Sequence, residues 1–169
     1  MSKLFIHATN VHQGGGKVLL ESLIRTKAVN HERVLVLDSR MPLPSEFTNI
    51  GFVKRVVPNL FQRLAAEWWL SRRVAETDVV LCFGNLPPMF KLTGYVIVFM
   101  QNRYLIENVK LSDFSWKVKL RIIAERFWFK LKLRNVDEFV VQSPCMKDLL
   151  EELVRESGFS LDSDILNRN

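Results

Sequence analysis

The fold is decided by the segment Lys3-Leu4-Phe5-Ile6-His7-Ala8-Thr9-Asn10-Val11-His12-Gln13-Gly14-Gly15-Gly16-Lys17, in which a short apolar run leads into three consecutive glycines. Residues 3–8 predict a β-strand, because the run is short, largely apolar and followed by turn-forming residues. The helical pattern over residues 17–27 predicts the helix that comes next. A strand, a glycine turn and a helix in this order are typical of the units that build parallel sheets.

Short strand-like runs alternate with longer helical patterns along the whole chain. Strands are predicted at residues 3–8, 33–38, 52–57, 78–83, 95–100 and 138–141. Helices are predicted at residues 17–27, 60–75, 114–134 and 144–156. This alternation predicts an α/β fold of the Rossmann-like, doubly wound type, with a mainly parallel six-stranded sheet and helices on both faces.

A binding crevice is expected at the carboxyl ends of two central strands. In doubly wound sheets, ligands bind where the winding direction reverses, which for the strand order 3-2-1-4-5-6 lies between the first and fourth strands. The turns that leave these strands are residues 10–16 and Gly84-Asn85-Leu86, and both contain glycine and polar residues. We therefore expect the two turns to meet at one crevice.

Composition limits the class of protein. The 169 residues are 48% hydrophobic and 25% charged, which is typical of one globular domain. We assign residues 1–157 to that domain and residues 158–169 to a tail or the start of a linker.

The two cysteines, Cys82 and Cys145, predict neither a disulfide framework nor a metal site. No run approaches the roughly 18 apolar residues of a spanning helix, so a cytoplasmic protein is expected.

The glycine turn has a functional and a structural interpretation. Three glycines allow the backbone to approach a ligand closely, and amides at a helix N-terminus favour anions. A phosphate or pyrophosphate would suit such a turn, and Lys17 could add positive charge. Alternatively, the turn joins strand to helix and binds nothing.

Two well-known phosphate loops do not match this turn. The dinucleotide pattern G-x-G-x-x-G would need a glycine at Leu19, although Asp38 stands where a ribose-binding acid would fall. A P-loop would need a glycine at Val11 and a Ser or Thr at Val18. The turn therefore needs another explanation.

The segment Asn10-Val11-His12-Gln13-Gly14-Gly15-Gly16-Lys17-Val18-Leu19-Leu20 resembles the opening of the retaining GT-B glycosyltransferases of the large family-four group. Three later segments resemble the ends of later strands in that domain: Phe83-Gly84-Asn85-Leu86-Pro87-Pro88, Val98-Phe99-Met100-Gln101-Asn102-Arg103 and Val136-Asp137-Glu138-Phe139-Val140-Val141-Gln142-Ser143. The likeness covers nearly the whole chain. It implies the N-terminal, acceptor-side half of a two-domain enzyme whose C-terminal half holds a nucleotide sugar.

The resemblance also implies site residues. The donor's diphosphate would face Gly14, Gly15, Gly16 and Lys17, which would stabilise charge on the departing nucleotide. The acceptor or the transferred sugar would lie near Asn85, Gln101, Asn102 and Arg103. The nucleotide sugar is a substrate, so no cofactor is expected, and the acceptor is expected to be lipid-linked or a polysaccharide. No residue is assigned a catalytic role.

The C-terminal half of such an enzyme carries a Glu-x7-Glu pair, and no two glutamates of this chain have that spacing. We therefore expect no donor pocket and little or no turnover from this chain alone. Two other readings remain open. The chain could be a non-catalytic or membrane-recruiting subunit that works with a separate C-terminal-domain chain, or a freestanding domain that binds a nucleotide tightly by itself.

Residues 116–134 carry seven Lys or Arg side chains and one acid, which equals the formal net charge of +6 of the whole protein. At 100° per residue, two apolar stripes form on this helix. We predict that the core face consists of Trp116, Leu120, Ile123, Phe127 and Leu131. A second stripe consists of Val118, Ile122, Phe129 and Leu133.

The second stripe has two interpretations. Cations beside an apolar stripe suit peripheral contact with an anionic membrane at its inner face. The residues expected to face that membrane are Lys119, Ile122, Arg126, Phe129, Lys130 and Leu133. Alternatively, the stripe packs against another helix and the cations are solvated. Nucleic acid is not expected as a partner, because Trp116, Phe127 and Trp128 fall mainly on the predicted core side.

Overall fold

A computed structural model of the chain describes residues 2–26, 31–43, 50–107 and 114–157. Its strands form one six-stranded, all-parallel sheet. The strands are β1 (Lys3–Ala8), β2 (Glu32–Asp38), β3 (Ile50–Val56), β4 (Val79–Cys82), β5 (Tyr95–Met100) and β6 (Glu138–Val141). The predicted α/β, doubly wound fold is confirmed, and each predicted strand is present within two residues of its expected bounds.

Within the described residues, four α-helices accompany the sheet: α1 (Gly14–Arg25), α2 (Leu60–Ser71), α3 (Trp116–Lys132) and α4 (Pro144–Glu156). The first begins three residues earlier than predicted, because the glycines form its first turn. Two short 3-10 turns are also present, at Arg103–Leu105 and Leu133–Asn135. The predicted tail, residues 158–169, lies outside the described residues.

The strand order is β3-β2-β1-β4-β5-β6, as predicted. Strand β1 lies at the centre, with β2 hydrogen-bonded on one side and β4 on the other. The chain therefore winds outward in one direction through β2 and β3, and α2 then carries it back across the sheet to β4. In doubly wound sheets, ligands bind beyond the carboxyl ends of the strands at such a reversal, which here are the ends of β1 and β4.

Helices cover both faces of the sheet. On one face, Leu20 and Ile24 of α1 pack in a cluster with alternate residues of β1 and β2. On the other, the buried side chains of the remaining helices share one larger core, to which α2 contributes Ala66 and Leu70 and α3 contributes Phe129. Apolar side chains on alternate strand positions thus divide between two core layers.

The long loop between β4 and β5 is held by three side chains from the α2 to α3 side. Glu67 of α2 accepts a hydrogen bond from the Met89 backbone N–H at 3.2 Å. Trp128 of α3 donates from Nε1 to the Pro87 carbonyl at 3.0 Å, and Asn135 donates from Nδ2 to the Pro88 carbonyl at 2.9 Å. These three hydrogen bonds fix the position of the loop after β4.

The prediction of which face of α3 meets the core is wrong. Ile122, Phe129 and Leu133, expected at a membrane, are at most 3% exposed. The predicted core residues are instead 54–68% exposed, namely Trp116, Leu120, Ile123, Phe127 and Leu131. Both stripes are apolar, so the helical period alone could not decide which one packs on the sheet. Because Trp116 and Phe127 are exposed, their predicted position in the core no longer excludes nucleic acid as a partner.

Arg126 and Lys130, two cations predicted to face a membrane, have different surroundings in the structure. Arg126 is part-buried and donates from Nε to the Tyr104 carbonyl at 2.9 Å and from Nη2 to the Glu107 carbonyl at 2.6 Å. Lys130 is exposed but borders a cleft that also contains glutamates of α4. Arg126 therefore holds the segment after β5, which is a structural role that the sequence did not predict.

Helix length sets one limit on membrane association. Across the four described ranges, none of the helices combines the length and apolar character that crossing a bilayer requires.

Truncation of the two faces of α3 should have opposite consequences. Phe129→Ala should lower the free energy of unfolding by roughly 3–5 kcal/mol, because it leaves a cavity beside Phe139 in the core. Phe127→Ala, on the exposed face, should change it by about 0.5 kcal/mol or less. Urea unfolding of both variants measures the difference. Equal losses would contradict the assignment of the faces.

Candidate functional site

The turns that leave β1 and β4 meet at the carboxyl edge of the sheet, as predicted. Asn10 donates from Nδ2 to the Gly84 carbonyl at 3.0 Å. Its side chain lies so close to Gly84 that a Cβ at that position would overlap Asn10 Oδ1. Glycine at position 84 thus allows the amide of Asn10 to bridge the two turns, which fixes one wall of the crevice relative to the other.

A second amide joins the turn after β4 to the end of β5. Asn85 has a positive φ of 66°, a conformation that asparagine tolerates better than most residues. Its Oδ1 accepts hydrogen bonds from the backbone N–H groups of Gln101 at 2.5 Å and Asn102 at 2.8 Å. Asn85 was predicted to lie near the acceptor, and the structure places its carbonyl oxygen in this bridge.

The glycine turn is the most open part of the crevice. Helix α1 begins at Gly14, which has a φ of 69°, and Gln13 before it is extended and provides no side-chain cap. The first amides of a helix have no partner within the helix, so those of Gly14, Gly15 and Gly16 can bind an anion. A Cβ added at Gly14 or Gly15 would meet no atom within 4 Å.

Gln101 lies beside the same turn. A Cβ on Gly16 would come within 3.3 Å of Gln101 Oε1, so the side chain from the end of β5 reaches the first turn of α1. The other end of this amide, Nε2, is buried and has no hydrogen-bond partner. The structure therefore brings the predicted phosphate-facing glycines and one predicted acceptor-side residue together.

Two further polar atoms near the end of β1 are buried without a hydrogen-bond partner, Thr9 Oγ1 and His12 Nδ1. Buried polar groups are nearly always hydrogen-bonded, because leaving one unpaired costs roughly 1–3 kcal/mol. These two atoms follow β1, whereas Gln101 Nε2 belongs to a side chain that follows β5 and reaches the first turn of α1. The edge of the sheet thus has unused hydrogen-bonding capacity where a ligand is expected.

Lys17 is in the first turns of α1, but its ammonium group is directed along the helix. Its Nζ lies 3.6 Å from Glu21 Oε1, one turn towards the C-terminus. The side chain is partly exposed, at 32%. A partly exposed pair of this kind is weak, so an anion at the helix start could compete for Lys17.

The remaining predicted residues, Asn102 and Arg103, belong to the 3-10 turn after β5. Asn102 Oδ1 accepts a hydrogen bond from the Tyr104 N–H at 3.1 Å and so caps the turn. Arg103 pairs with Glu107 at 2.6 Å, and this pair raises the pKa of the guanidinium. The Arg103 side chain is 53% exposed and its partner neutralises it. Both side chains are therefore engaged locally.

Asp38, at the end of β2, is buried and bound by Arg40. Arg40 donates from Nε at 2.9 Å and from Nη2 at 2.7 Å, and its backbone N–H adds a bond of 2.9 Å. Burial alone would raise the pKa of the Asp38 carboxyl, but the hydrogen bonds and charge of Arg40 outweigh this and lower it. His12 Nδ1 lies 3.8 Å away. The carboxylate that could bind a ribose is thus already occupied.

The acidic side chain of Glu67 is buried next to His7, on the face of the sheet that α2 covers. His7 Nε2 is 3.6 Å from Glu67 Oε1, and both residues are at least 94% buried. Burial lowers the pKa of His7 and outweighs the attraction of Glu67, so the imidazole is neutral at pH 7. Burial also lowers the pKa of Arg63, against the attraction of Glu67. Sequence reasoning missed Glu67 and Arg63, because charged residues on an amphipathic helix normally face solvent.

Candidate metal ligands do not cluster within the described ranges, and the Cys82 thiol is buried. No group of three or more His, Cys, Asp or Glu side chains there could hold a metal ion. Cys82 is buried, and burial raises the pKa of its thiol well above the usual value, so it is a poor nucleophile.

Comparisons with known proteins do not identify a relative. No model of a protein family matches the chain, and no curated protein matches it.

Replacing Asp38 by Asn should lower the free energy of unfolding by roughly 1–3 kcal/mol at neutral pH, because the charge-assisted bonds from Arg40 are lost. A carboxyl whose pKa is lowered by folding stabilises the protein above its unfolded pKa of about 4, and this contribution disappears as the pH falls through the folded value. Denaturant unfolding of both proteins along a pH series tests this. A difference that stays constant below about pH 4 would show that the charge of Asp38 is irrelevant.

Proposed function

We propose that the chain is the N-terminal, acceptor-side half of a retaining glycosyltransferase of the GT-B type, which acts on a lipid-linked or polysaccharide acceptor with a nucleotide sugar as donor. The observation that carries the proposal is the uncapped start of α1 at Gly14, which opens onto empty space at the reversal of the sheet. Anions bind at such helix ends, and ligands bind at such reversals.

The charge of the donor gives this turn its role. When the sugar leaves, negative charge develops on the diphosphate of the nucleotide. Amides fixed before the reaction stabilise that charge without reorganisation, and one such donor accounts for about 10²- to 10³-fold in rate in well-studied cases. Gly15 and Gly16 supply amides to this position, and Lys17 adds a cation if it exchanges Glu21 for the phosphate. The chain contributes electrostatic stabilisation rather than a nucleophile.

Gln101 is the residue best positioned to contact a sugar. It lies against Gly16, and its Nε2 is a donor without a partner. A hydroxyl group of the transferred sugar or of the acceptor could accept a hydrogen bond from it. Asn85 supports this arrangement, because its Oδ1 accepts hydrogen bonds from the backbone N–H groups of Gln101 and Asn102 and so fixes the end of β5.

The occupied carboxylate of Asp38 favours this proposal over a freestanding nucleotide-binding domain. A tight dinucleotide site uses an acid at the end of the second strand to bind the ribose. Here Arg40 takes both oxygens of that acid. The nucleoside must then be held elsewhere, as it is when a separate domain carries the donor.

Gly15→Ala should weaken anion binding at the glycine turn without destabilising the fold. The residue has no positive φ, and its new methyl group would meet no protein atom, so the free energy of unfolding should be unchanged or rise by about 0.4–1 kcal/mol. The methyl group would project into the space proposed for the diphosphate. In ¹H-¹⁵N NMR spectra of the wild type, pyrophosphate and uridine diphosphate should shift the amide signals of Gly15 and Gly16, with a Kd on the order of millimolar. Gly15→Ala should abolish those shifts.

Gly51 and Gly94 are internal controls, since both lie away from the crevice and their signals should not move. If pyrophosphate moves all glycine signals equally, or none, the anion site is absent. A micromolar or tighter Kd for a nucleotide would instead support the freestanding domain.

Sugar transfer is tested by joining the chain to donor-binding halves of GT-B enzymes, covalently or as separate chains. We expect transfer only when such a half is present, and loss of at least tenfold with Gly15→Ala. A chain that supports no transfer with any donor-binding half, while its glycine turn binds pyrophosphate, would be an anion-binding protein of another class.

A further inference from the structure

Helices α2 and α3 present an apolar surface to solvent on the side away from the sheet. On α3 it consists of Trp116, Leu120, Ile123, Phe127 and Leu131, each at least 54% exposed. The helix has 17 residues and is therefore about 25 Å long. Monomeric proteins rarely expose an apolar stripe of this length, and one of this kind marks an interaction surface.

Helix α2 extends this surface. The two helices pack on the same face of the sheet and touch where Arg63 lies over the Trp128 ring, 4.8 Å from its centre. On its outer side, Phe61 is 84% exposed and Trp68 is 54% exposed. Arg72 lies over the Trp68 ring at 5.3 Å. We call the outer sides of the two helices the α2–α3 face.

The acids of both helices are turned away from this face. Each helix contains a single acidic residue. Glu67 of α2 is 1% exposed, and the side chain of Glu125 on α3 is 19% exposed and pairs with Arg121 at 3.3 Å. The α2–α3 face thus combines large apolar side chains with cations and lacks exposed acids of its own.

We propose that the α2–α3 face docks on the surface of a bilayer that contains anionic phospholipid. Apolar side chains of such a face enter the boundary between headgroups and acyl chains, while Lys and Arg at its flanks contact lipid phosphates. At 100° per residue, Lys117 flanks one side of the α3 stripe and Lys119 and Lys130 the other, and Lys130 also borders the cleft that contains Glu152 and Glu156. The proposal does not depend on sugar transfer.

Two other occupants fit the observations less well. A second copy in a two-fold dimer would bring together two faces that both carry cations and lack exposed acids, and like charges repel. Nucleic acid would need cations where its phosphates run, whereas the centre of the α3 stripe is aliphatic and aromatic and the cations lie at its sides. An anionic bilayer matches both the apolar centre and the charged border.

Binding to vesicles tests the proposal. The protein should sediment with vesicles of mixed phosphatidylcholine and phosphatidylglycerol and not with pure phosphatidylcholine. Leu120→Ser with Phe127→Ser should weaken binding at least tenfold, since both side chains are more than half exposed and their loss leaves the core intact. Lys117→Gln with Arg72→Gln should weaken it about thirtyfold, which corresponds to ~1 kcal/mol for each cation.

The matched control is Val18→Ser with Leu19→Ser on α1, which covers the opposite face of the sheet. These two side chains are 64% and 41% exposed, so the control also replaces exposed apolar side chains by serine. The control should bind vesicles like the wild type, and all three variants should melt like the wild type.

Three results would overturn the proposal. In the first, Leu120→Ser with Phe127→Ser binds vesicles as well as the wild type does. In the second, sedimentation without lipid shows a dimer that these substitutions dissociate, so that a second copy covers the face. In the third, the substitutions abolish binding of a single-stranded oligonucleotide but leave vesicle binding intact.

Discussion

The pairing of β1 with β2 on one side and β4 on the other is the constraint on which the crevice depends. Helix α1 packs on one face of the sheet and Leu86 of the loop after β4 packs on the other, so the chain diverges beyond the contact between Asn10 and Gly84. No atom lies within 4 Å of a Cβ built on Gly14 or Gly15, so the start of α1 is open. The side-chain amides of Asn10 and Asn85 tie neighbouring turns together at this edge.

The sequence allowed prediction of the strands, their order and the position of the crevice, because each depends on local pattern and on general rules of winding. It could not identify the inner face of α3, since both stripes are apolar and only packing against β5 and β6 distinguishes them. Arg63 and Glu67 were missed for a related reason. Glu67 contacts His7 and the loop after β4, and Arg63 contacts the Trp128 ring, and all of these partners come from other elements of the chain. The roles of Asn85 and Arg126 depend on backbone geometry, and residue type alone does not reveal that.

The crevice and the α2–α3 face are different in chemical character. The crevice is formed by backbone amides and neutral side chains, whose positions are fixed by hydrogen bonds within the protein. The α2–α3 face is formed by long, exposed side chains with few such bonds. Fixed groups favour specific binding of one small ligand, whereas flexible side chains can adapt to a bilayer, which has no defined shape. The two regions share Trp128, which binds the loop after β4 and also contacts Arg63.

The contact between Asn10 and Gly84 has a consequence for how this sequence can vary. The Asn10 amide fills the space that a side chain at position 84 would need. The two positions are therefore coupled, and alanine fits at position 84 only when residue 10 is smaller than asparagine. If position 84 changes first, the new side chain overlaps Asn10. If position 10 changes first, the hydrogen bond that bridges the two turns is lost. Related sequences should show these two positions changing together, although 74 residues separate them along the chain.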